Sequence, residues 1–173
     1  MIVFTIVFGK LAKINSDGVP YAIFSYTALV PWTYFSGALT GASGSLLGAS
    51  GMMTKVYFPR LIIPMAPVMS KLIDFGIAFV ILLLMMAYFG FMPSIQIIYL
   101  PLLILIMMIT ASGMGMWLTA MAVKYRDINY AMSFFVQLLM YAAPVVYPAS
   151  IIPEPFRLIY GCFPMVGVIE GFR

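Results

Sequence analysis

The sequence has no histidine, a single cysteine and few charged side chains. Charged residues make up 8% of its 173 positions, and the five carboxylates are scattered along the chain. Because metal binding and acid–base catalysis depend on clusters of such side chains, we expect no metal site and no catalytic residue in the chain. The one cysteine, Cys162, excludes a framework of internal disulfides.

The sequence also lacks a phosphate-binding loop of the form GxxxxGKS or GxxxxGKT. We therefore expect the chain to bind no ATP through a P-loop of its own. Nine Lys and Arg against five Asp and Glu give a net charge of +4. The basic residues lie in loops, where they are better explained as orientation signals for membrane insertion than as a nucleic-acid surface, so we expect no nucleic-acid partner.

Apolar side chains are what the sequence has in abundance. Hydrophobic residues make up 64% of the chain and the mean hydropathy is +1.10, whereas soluble domains are roughly half apolar and about a quarter charged. The apolar residues form continuous runs, which favours helices over the short alternating segments of a β-barrel. We therefore predict an all-α, multi-pass integral membrane protein, with residues 1–173 forming a single transmembrane domain in contact with lipid.

The apolar runs predict four complete transmembrane helices, over about 21–50, 68–89, 97–123 and 130–146. Residues 1–9 are too short to cross a bilayer, which takes about 20 residues, so we interpret them as the end of a preceding helix. The chain stops at Arg173 without a polar tail, and we expect the domain to be incomplete at both ends. The prolines within 147–173 favour a re-entrant or interfacial helical hairpin over one straight span.

Basic residues predict the orientation of these helices. The side of the membrane that holds the connections 51–67 and 124–129 carries Lys55, Arg60, Lys71, Lys124 and Arg126. The opposite side carries Lys10, Lys13, Arg157 and Arg173, partly offset by Asp17, Glu154 and Glu170. The positive-inside rule therefore places residues 51–67 and 124–129 in the cytoplasm.

A glycine series lies in the segment 21–50 and just beyond it, at Gly37, Gly41, Gly44, Gly48 and Gly51. Steps of four and three residues keep all of them on one helix face. Such a face lets another helix backbone approach closely in lipid. Two interpretations remain open: packing within one subunit, or a helix that moves or lines a central interface.

Two charged segments fall on the predicted cytoplasmic side. The first, Lys55-Val56-Tyr57-Phe58-Pro59-Arg60, could anchor at the lipid headgroups or dock a cytoplasmic partner, since its aromatics suit a pocket. The second is the turn Lys124-Tyr125-Arg126-Asp127, whose cations complement the dipole at a helix end. Asp74 follows Lys71 by three residues, and we predict a structural ion pair at the cytoplasmic edge of its helix.

The order of these motifs resembles that of one known family, the membrane subunits of type-2 ABC exporters for polysaccharides such as O-antigen, capsule or teichoic acid. The resemblance covers essentially the whole chain. It is carried by Tyr57-Phe58-Pro59-Arg60, Pro64, the Leu-Ile-Asp-Phe run 72–75, Tyr125-Arg126-Asp127, Tyr147-Pro148 and Ile152-Pro153. The chain departs from the family pattern at Phe163, where an asparagine is expected before Pro164.

The resemblance implies a subunit with six transmembrane helices that pairs with a second copy of itself in the cell inner membrane. It implies a transport function without enzymatic activity in this chain, with ATP and Mg bound by a separate cytoplasmic ATPase subunit. Lys55 to Arg60 would then belong to the region that couples to the ATPase. The end of the chain, Glu170-Gly171-Phe172-Arg173, would belong to an external re-entrant hairpin.

The substrate implied by the resemblance is a polysaccharide or lipid-linked glycan. Aromatic faces suit sugar rings because stacking requires no fixed hydrogen-bond pattern. We therefore predict a substrate path along Tyr21, Tyr34, Phe35, Tyr141 and Tyr147, with an aromatic belt at the membrane interface as the alternative and Trp32 assigned to that belt. Other functions left open are a type-2 ABC exporter of drugs or small lipids, and a membrane-embedded enzyme of envelope synthesis, which would require clustered carboxylates or histidines.

Overall fold

The computed structural model describes residues 21–49, 51, 59, 61–90, 95–125, 127–145, 161 and 163–172. These residues form helices joined by turns, with no β-strand among them, which confirms the predicted all-α class. The helices are α1 (Tyr21–Gly48), α2 (Ile62–Tyr88), a short 3-10 helix (Ile95–Tyr99), α3 (Leu100–Lys124), α4 (Ile128–Ala142) and α5 (Pro164–Phe172).

Two of the described helical stretches are long and apolar enough to cross a membrane, Ile62–Tyr88 and Ile97–Lys124. Only 17% and 11% of their most apolar stretches are buried, so most of their Ile, Leu and Met side chains lie on the outside of the subunit. A soluble protein would bury helices of this composition. The exposed apolar surface of α2 and α3 is the surface that lipid would cover.

The central helix, α1, is about as long as α2 but is less apolar, because its C-terminal half is rich in Gly, Ala, Ser and Thr. It packs against α2, α3, α4 and α5. Small residues such as Ala38 and Ala42 are fully buried on it, and they allow its neighbours to approach closely. Two tyrosines bond it to α2, since the Tyr34 hydroxyl donates to the Val68 carbonyl at 3.2 Å and the Tyr26 hydroxyl to that of Ala78 at 3.3 Å.

The start of α2 differs from the prediction by six residues. The sequence predicted a link as far as Pro67, because proline usually interrupts a helix, but α2 begins at Ile62 and includes both Pro64 and Pro67. Pro64 falls in the first turn, where the missing N–H would have no helical acceptor. Pro67 packs on Gly41 of α1, where a side chain would collide with it.

Trp32 does not lie in a lipid-facing belt, and that prediction was wrong. Its side chain is 3% exposed and its ring lies 5.8 Å from that of Phe35, centroid to centroid. The physical reason is the central position of α1. Its aromatic side chains pack against neighbouring helices, and the sequence alone does not distinguish an aromatic residue of the core from one at the membrane interface.

The last described helix, α5, begins at Pro164, whose fixed φ suits the first turn of a helix. It packs against α3 and α1, with Met165 and Ile169 fully buried. At its end, the Phe172 ring meets Phe75 and Phe79 of α2 edge to face, at centroid distances of 6.0 and 6.4 Å. The helix predicted in the C-terminal region is therefore present as a packed part of the core. Most of the predicted hairpin lies outside the described residues.

Candidate functional site

A charged pair lies on the exposed face of α2, near the middle of the helix. Lys71 Nζ donates a hydrogen bond to Asp74 Oδ2 at 2.8 Å, and the two side chains are 42% and 63% exposed. The structure confirms the predicted pair. Because α2 starts at Ile62, Lys71 and Asp74 lie about 13 and 18 Å along the helix axis, well inside its end.

Hydroxyl side chains lie on the face of α1 that carries Thr33, which lines a recess beside this pair. Thr33 and Thr40 are exposed and Ser36 is half-buried, and steps of three and four residues keep them on one face of the helix. Each hydroxyl donates to a carbonyl of its own helix: Thr33 to Val30 at 2.9 Å, Ser36 to Thr33 at 3.2 Å, and Thr40 to Ser36 at 2.9 Å. Their oxygen lone pairs remain available. We call Thr33, Ser36, Thr40, Lys71 and Asp74 the polar face.

A recess of about 180 Å³ opens on the polar face. It is lined by Thr33, Tyr34, Lys71, Asp74 and Phe75. It therefore combines an ammonium group, a carboxylate and a hydroxyl with two aromatic side chains.

The charges of the polar face are costly to expose to lipid. A Lys or Asp side chain at the centre of a bilayer costs about 2.5–3.5 kcal/mol even on insertion scales, and such residues almost always face a bundle interior or a water-filled cavity. Lys71 also packs its alkyl chain against Gly37, where an added Cβ would lie 3.2 Å from Lys71 Cδ. The glycine thus leaves room for the lysine stem to lie along α1.

The predicted glycine face has two parts in the structure. Gly37 and Gly41 face α2, and a Cβ at Gly41 would lie 2.9 Å from Pro67 Cβ. At Gly44, Gly48 and Gly51 a Cβ would meet nothing within 4 Å. Close packing within the subunit is therefore seen at the first two glycines. At Gly44 and Gly48 the described residues leave room for a side chain, and these two positions continue the helix face of Thr40 toward the C-terminal end of α1.

A second close contact was missed in the sequence. The Thr119 hydroxyl of α3 shares its hydrogen between the carbonyl oxygens of Ala42, 2.8 Å away, and Gly115, 2.6 Å away. A Cβ at Gly115 would lie 3.0 Å from Ala42 Cβ. The spacing of Gly115 and Thr119, four residues apart, is a small-xxx-small pattern and could have identified the contact.

Two of the three described side chains of the predicted aromatic path are buried. Tyr34 and Phe35 are 2% and 0% exposed, so they present no surface to a substrate. Tyr34 meets Phe75 edge to face, and Phe35 meets Phe163 in the same way. We correct their role to core packing, for the same reason as Trp32. Tyr141 is 62% exposed on α4, while Tyr147 and the Tyr21 side chain lie outside the described residues.

The two predicted cytoplasmic segments are described only in part. Of Lys55 to Arg60, the structure describes Pro59, which is exposed and whose carbonyl accepts the Ile62 N–H at 3.0 Å at the start of α2. In the second segment, Lys124 ends α3 with its Nζ 5.2 Å from the centre of the Tyr125 ring. Asp127 is the N-cap residue of α4 but makes no side-chain cap bond. Arg126 lies outside the described residues.

Comparison with known families gives this geometry its context. The model of the ABC-2 type transporter family matches residues 1–173. The chain belongs to this family. As a member of the ABC-2 type transporter family it is a membrane protein, which agrees with the exposed apolar surface of α2 and α3.

The ABC-2 relatives with curated names are permeases. The chain is 26% identical over 175 residues to the O-antigen export system permease protein RfbA of Myxococcus xanthus, covering 100% of this chain and 66% of that protein. It is 26% and 25% identical over 154 residues to two proteins of the same name from Klebsiella pneumoniae, covering 88% of this chain and 60% of each. The chain thus spans less than two thirds of the length of these relatives.

Proposed function

We propose that this chain belongs to the permease subunit of an ATP-driven exporter that moves a polysaccharide or lipid-linked glycan across the inner membrane. The observation that carries the proposal is the similarity to O-antigen export permeases along the whole chain. The subunit spans the membrane several times and pairs with a second copy of itself. It contains no ATPase site, and a separate cytoplasmic subunit binds ATP and Mg.

The physical requirements of glycan export agree with the geometry of the subunit. A hydrated polymer cannot cross lipid unless protein supplies a polar route, because its hydroxyls would lose their hydrogen bonds to water. The subunit has a lipid-compatible outer surface on α2 and α3, and it has a polar face between α1 and α2. Among the described residues, no group of three or more His, Cys, Asp or Glu could hold a metal. An exporter of this kind needs no such group in its permease.

The predicted orientation and coupling belong to the same proposal. Residues 51–67 and 124–129 face the cytoplasm, and the segment from Lys55 to Arg60 receives the movement of the ATPase subunit. Its position directly before α2 supports this role, since Pro59 accepts the first backbone bond of that helix. A push on the segment would therefore be transmitted along α2, which packs closely on α1.

The proposal is tested by deleting the gene in its native host and restoring the full-length protein. We expect the deletion to remove glycan from the cell surface and to accumulate lipid-linked glycan inside, as judged by immunoblots of intact and lysed cells. The full-length gene should reverse both effects, and a Walker A variant of the ATPase partner should reproduce them. Normal surface glycan in the deletion strain, with loss of export of a drug or small lipid, would favour the alternative exporter.

A further inference from the structure

We infer, resting on the proposed function, that the polar face forms part of the wall of the aqueous path through which the glycan passes. Lys71 and Asp74 would contact sugar hydroxyls there, together with Thr33 and Thr40. The path would run lengthwise between α1 and α2 and would include the recess beside Phe75.

The ion pair is the feature that decides what this face contacts. The three hydroxyls donate to carbonyls of their own helix, so they would tolerate lipid and do not by themselves indicate a path. Lys71 and Asp74 differ, because they lie within a helix long and apolar enough to cross a membrane, and ionisable residues in such helices face protein or water. Both remain accessible on the surface of the described helices, so none of α1 to α5 supplies a protein covering.

The shape of the polar face also fits a lengthwise path. From Thr33 to Thr40 it extends about 10 Å along α1, and Gly44 and Gly48 continue the helix face of Thr40 toward the C-terminal end of α1. On α2, by contrast, the exposed residues beyond Asp74 are apolar, among them Ile77, Ile81 and Leu84. The polar face therefore begins near the middle of the helix pair and extends along α1 toward the end that we place in the cytoplasm, where a glycan would enter.

The chemistry of the face suits a neutral, hydroxyl-rich polymer. The ammonium of Lys71 offers donors and the carboxylate of Asp74 offers acceptors, while their ion pair carries no net charge. Tyr34 and Phe75 line the recess but are only 2% and 5% exposed, so the contacts with a sugar come from the polar groups of Lys71, Asp74 and Thr33. These contacts do not depend on one fixed sequence of hydroxyls, which is what a repeating polymer in motion requires.

Thiol labelling of the full-length protein in its complex with the ATPase subunit tests this inference. Single cysteines replace Thr40, Ser36 or Asp74 in a Cys162→Ser background, and Ile73→Cys serves as the matched control. Ile73 is 70% exposed and adjoins Asp74, but lies on the apolar side of α2. A charged, membrane-impermeant methanethiosulfonate is applied to inside-out membrane vesicles. We expect at least tenfold faster labelling at Thr40→Cys and Ser36→Cys than at Ile73→Cys, and slower labelling when lipid-linked glycan is added.

The serine and threonine variants keep the ion pair intact, so the test does not depend on whether Asp74→Cys assembles. Equal labelling of the polar and control positions would overturn the inference. So would a disulfide between the two Thr40→Cys copies with no labelling, which would make the face a subunit interface. Fast labelling that glycan does not slow would refute the sugar contact. Surface glycan measured in the same strains separates the two proposals. Normal glycan export with slow labelling would refute only the assignment of the polar face to the wall of the path. Absence of glycan export by the unmodified protein would refute the proposed function.

Discussion

The packing of α1 against α2 at Gly41 gives a quantitative prediction. Replacing Gly41 by alanine places a Cβ 2.9 Å from Pro67 Cβ, whereas carbon atoms prefer about 3.5–4.0 Å. The two helices would therefore have to separate by about 0.6 Å or more, because the proline ring cannot rotate away. Overpacking of this kind costs about 1–3 kcal/mol, while alanine gains up to about 1 kcal/mol over glycine in helix propensity. The net expectation is a loss of up to about 2 kcal/mol.

Gly44 and Gly37 provide matched controls on the same helix. At Gly44 a Cβ meets nothing within 4 Å, so Gly44→Ala should keep or slightly raise stability. At Gly37 the neighbour is the flexible Lys71 chain at 3.2 Å, which can shift. The stability of Gly37→Ala should therefore lie between that of Gly41→Ala and that of Gly44→Ala. The assay is the melting temperature of the full-length protein in detergent. It is measured as the temperature at which half of the protein is no longer monodisperse on size-exclusion chromatography. A Gly41→Ala variant as stable as Gly44→Ala would refute the tight contact.

Three further predictions concern topology, coupling and the α1–α3 contact. On intact cells, an impermeant thiol reagent should label Cys162 but not Asn129→Cys made in a Cys162→Ser background; labelling at 129 would reverse the orientation. Phe58→Ala should weaken co-purification of the ATPase subunit without lowering the membrane yield of the protein. If the complex forms normally and export is unchanged, the segment from Lys55 to Arg60 would be explained as a lipid-headgroup anchor instead. Thr119→Val removes the bond to Ala42 and should cost about 0.5–1.5 kcal/mol in the same melting assay; a variant as stable as the unmodified protein would refute this contribution.

The fold class and the approximate helices could be predicted from the sequence because lipid leaves few alternatives to a helix. Long apolar runs in the sequence predicted α2 and α3 directly. The start of α2 could not be predicted, because the effect of Pro67 depends on Gly41 of another helix. The difference matters for the site: six extra residues at the start of α2 place Asp74 near the midpoint of that helix.

Which face of α1 is buried was more difficult to predict. By composition, its aromatic residues fit three interpretations equally well: an interface belt, a substrate path and a protein core. The structure buries Trp32, Tyr34 and Phe35, and only the positions of the surrounding helices decide this. Lys71 and Asp74 could be paired from their spacing alone, but their relation to Thr33 and Thr40 depends on how α1 packs against α2.

The burial of α5 has a consequence for the order in which the protein is assembled during synthesis. The described part of this helix has nine residues, and Met165 and Ile169 on it are fully buried. Its apolar side chains have a binding groove only after the earlier helices are in place, because that groove is made by α1, α3 and the Phe75–Phe79 stack of α2. A nascent chain that ends before Pro164 would therefore expose this groove, and membrane quality-control proteases could distinguish it from the finished subunit.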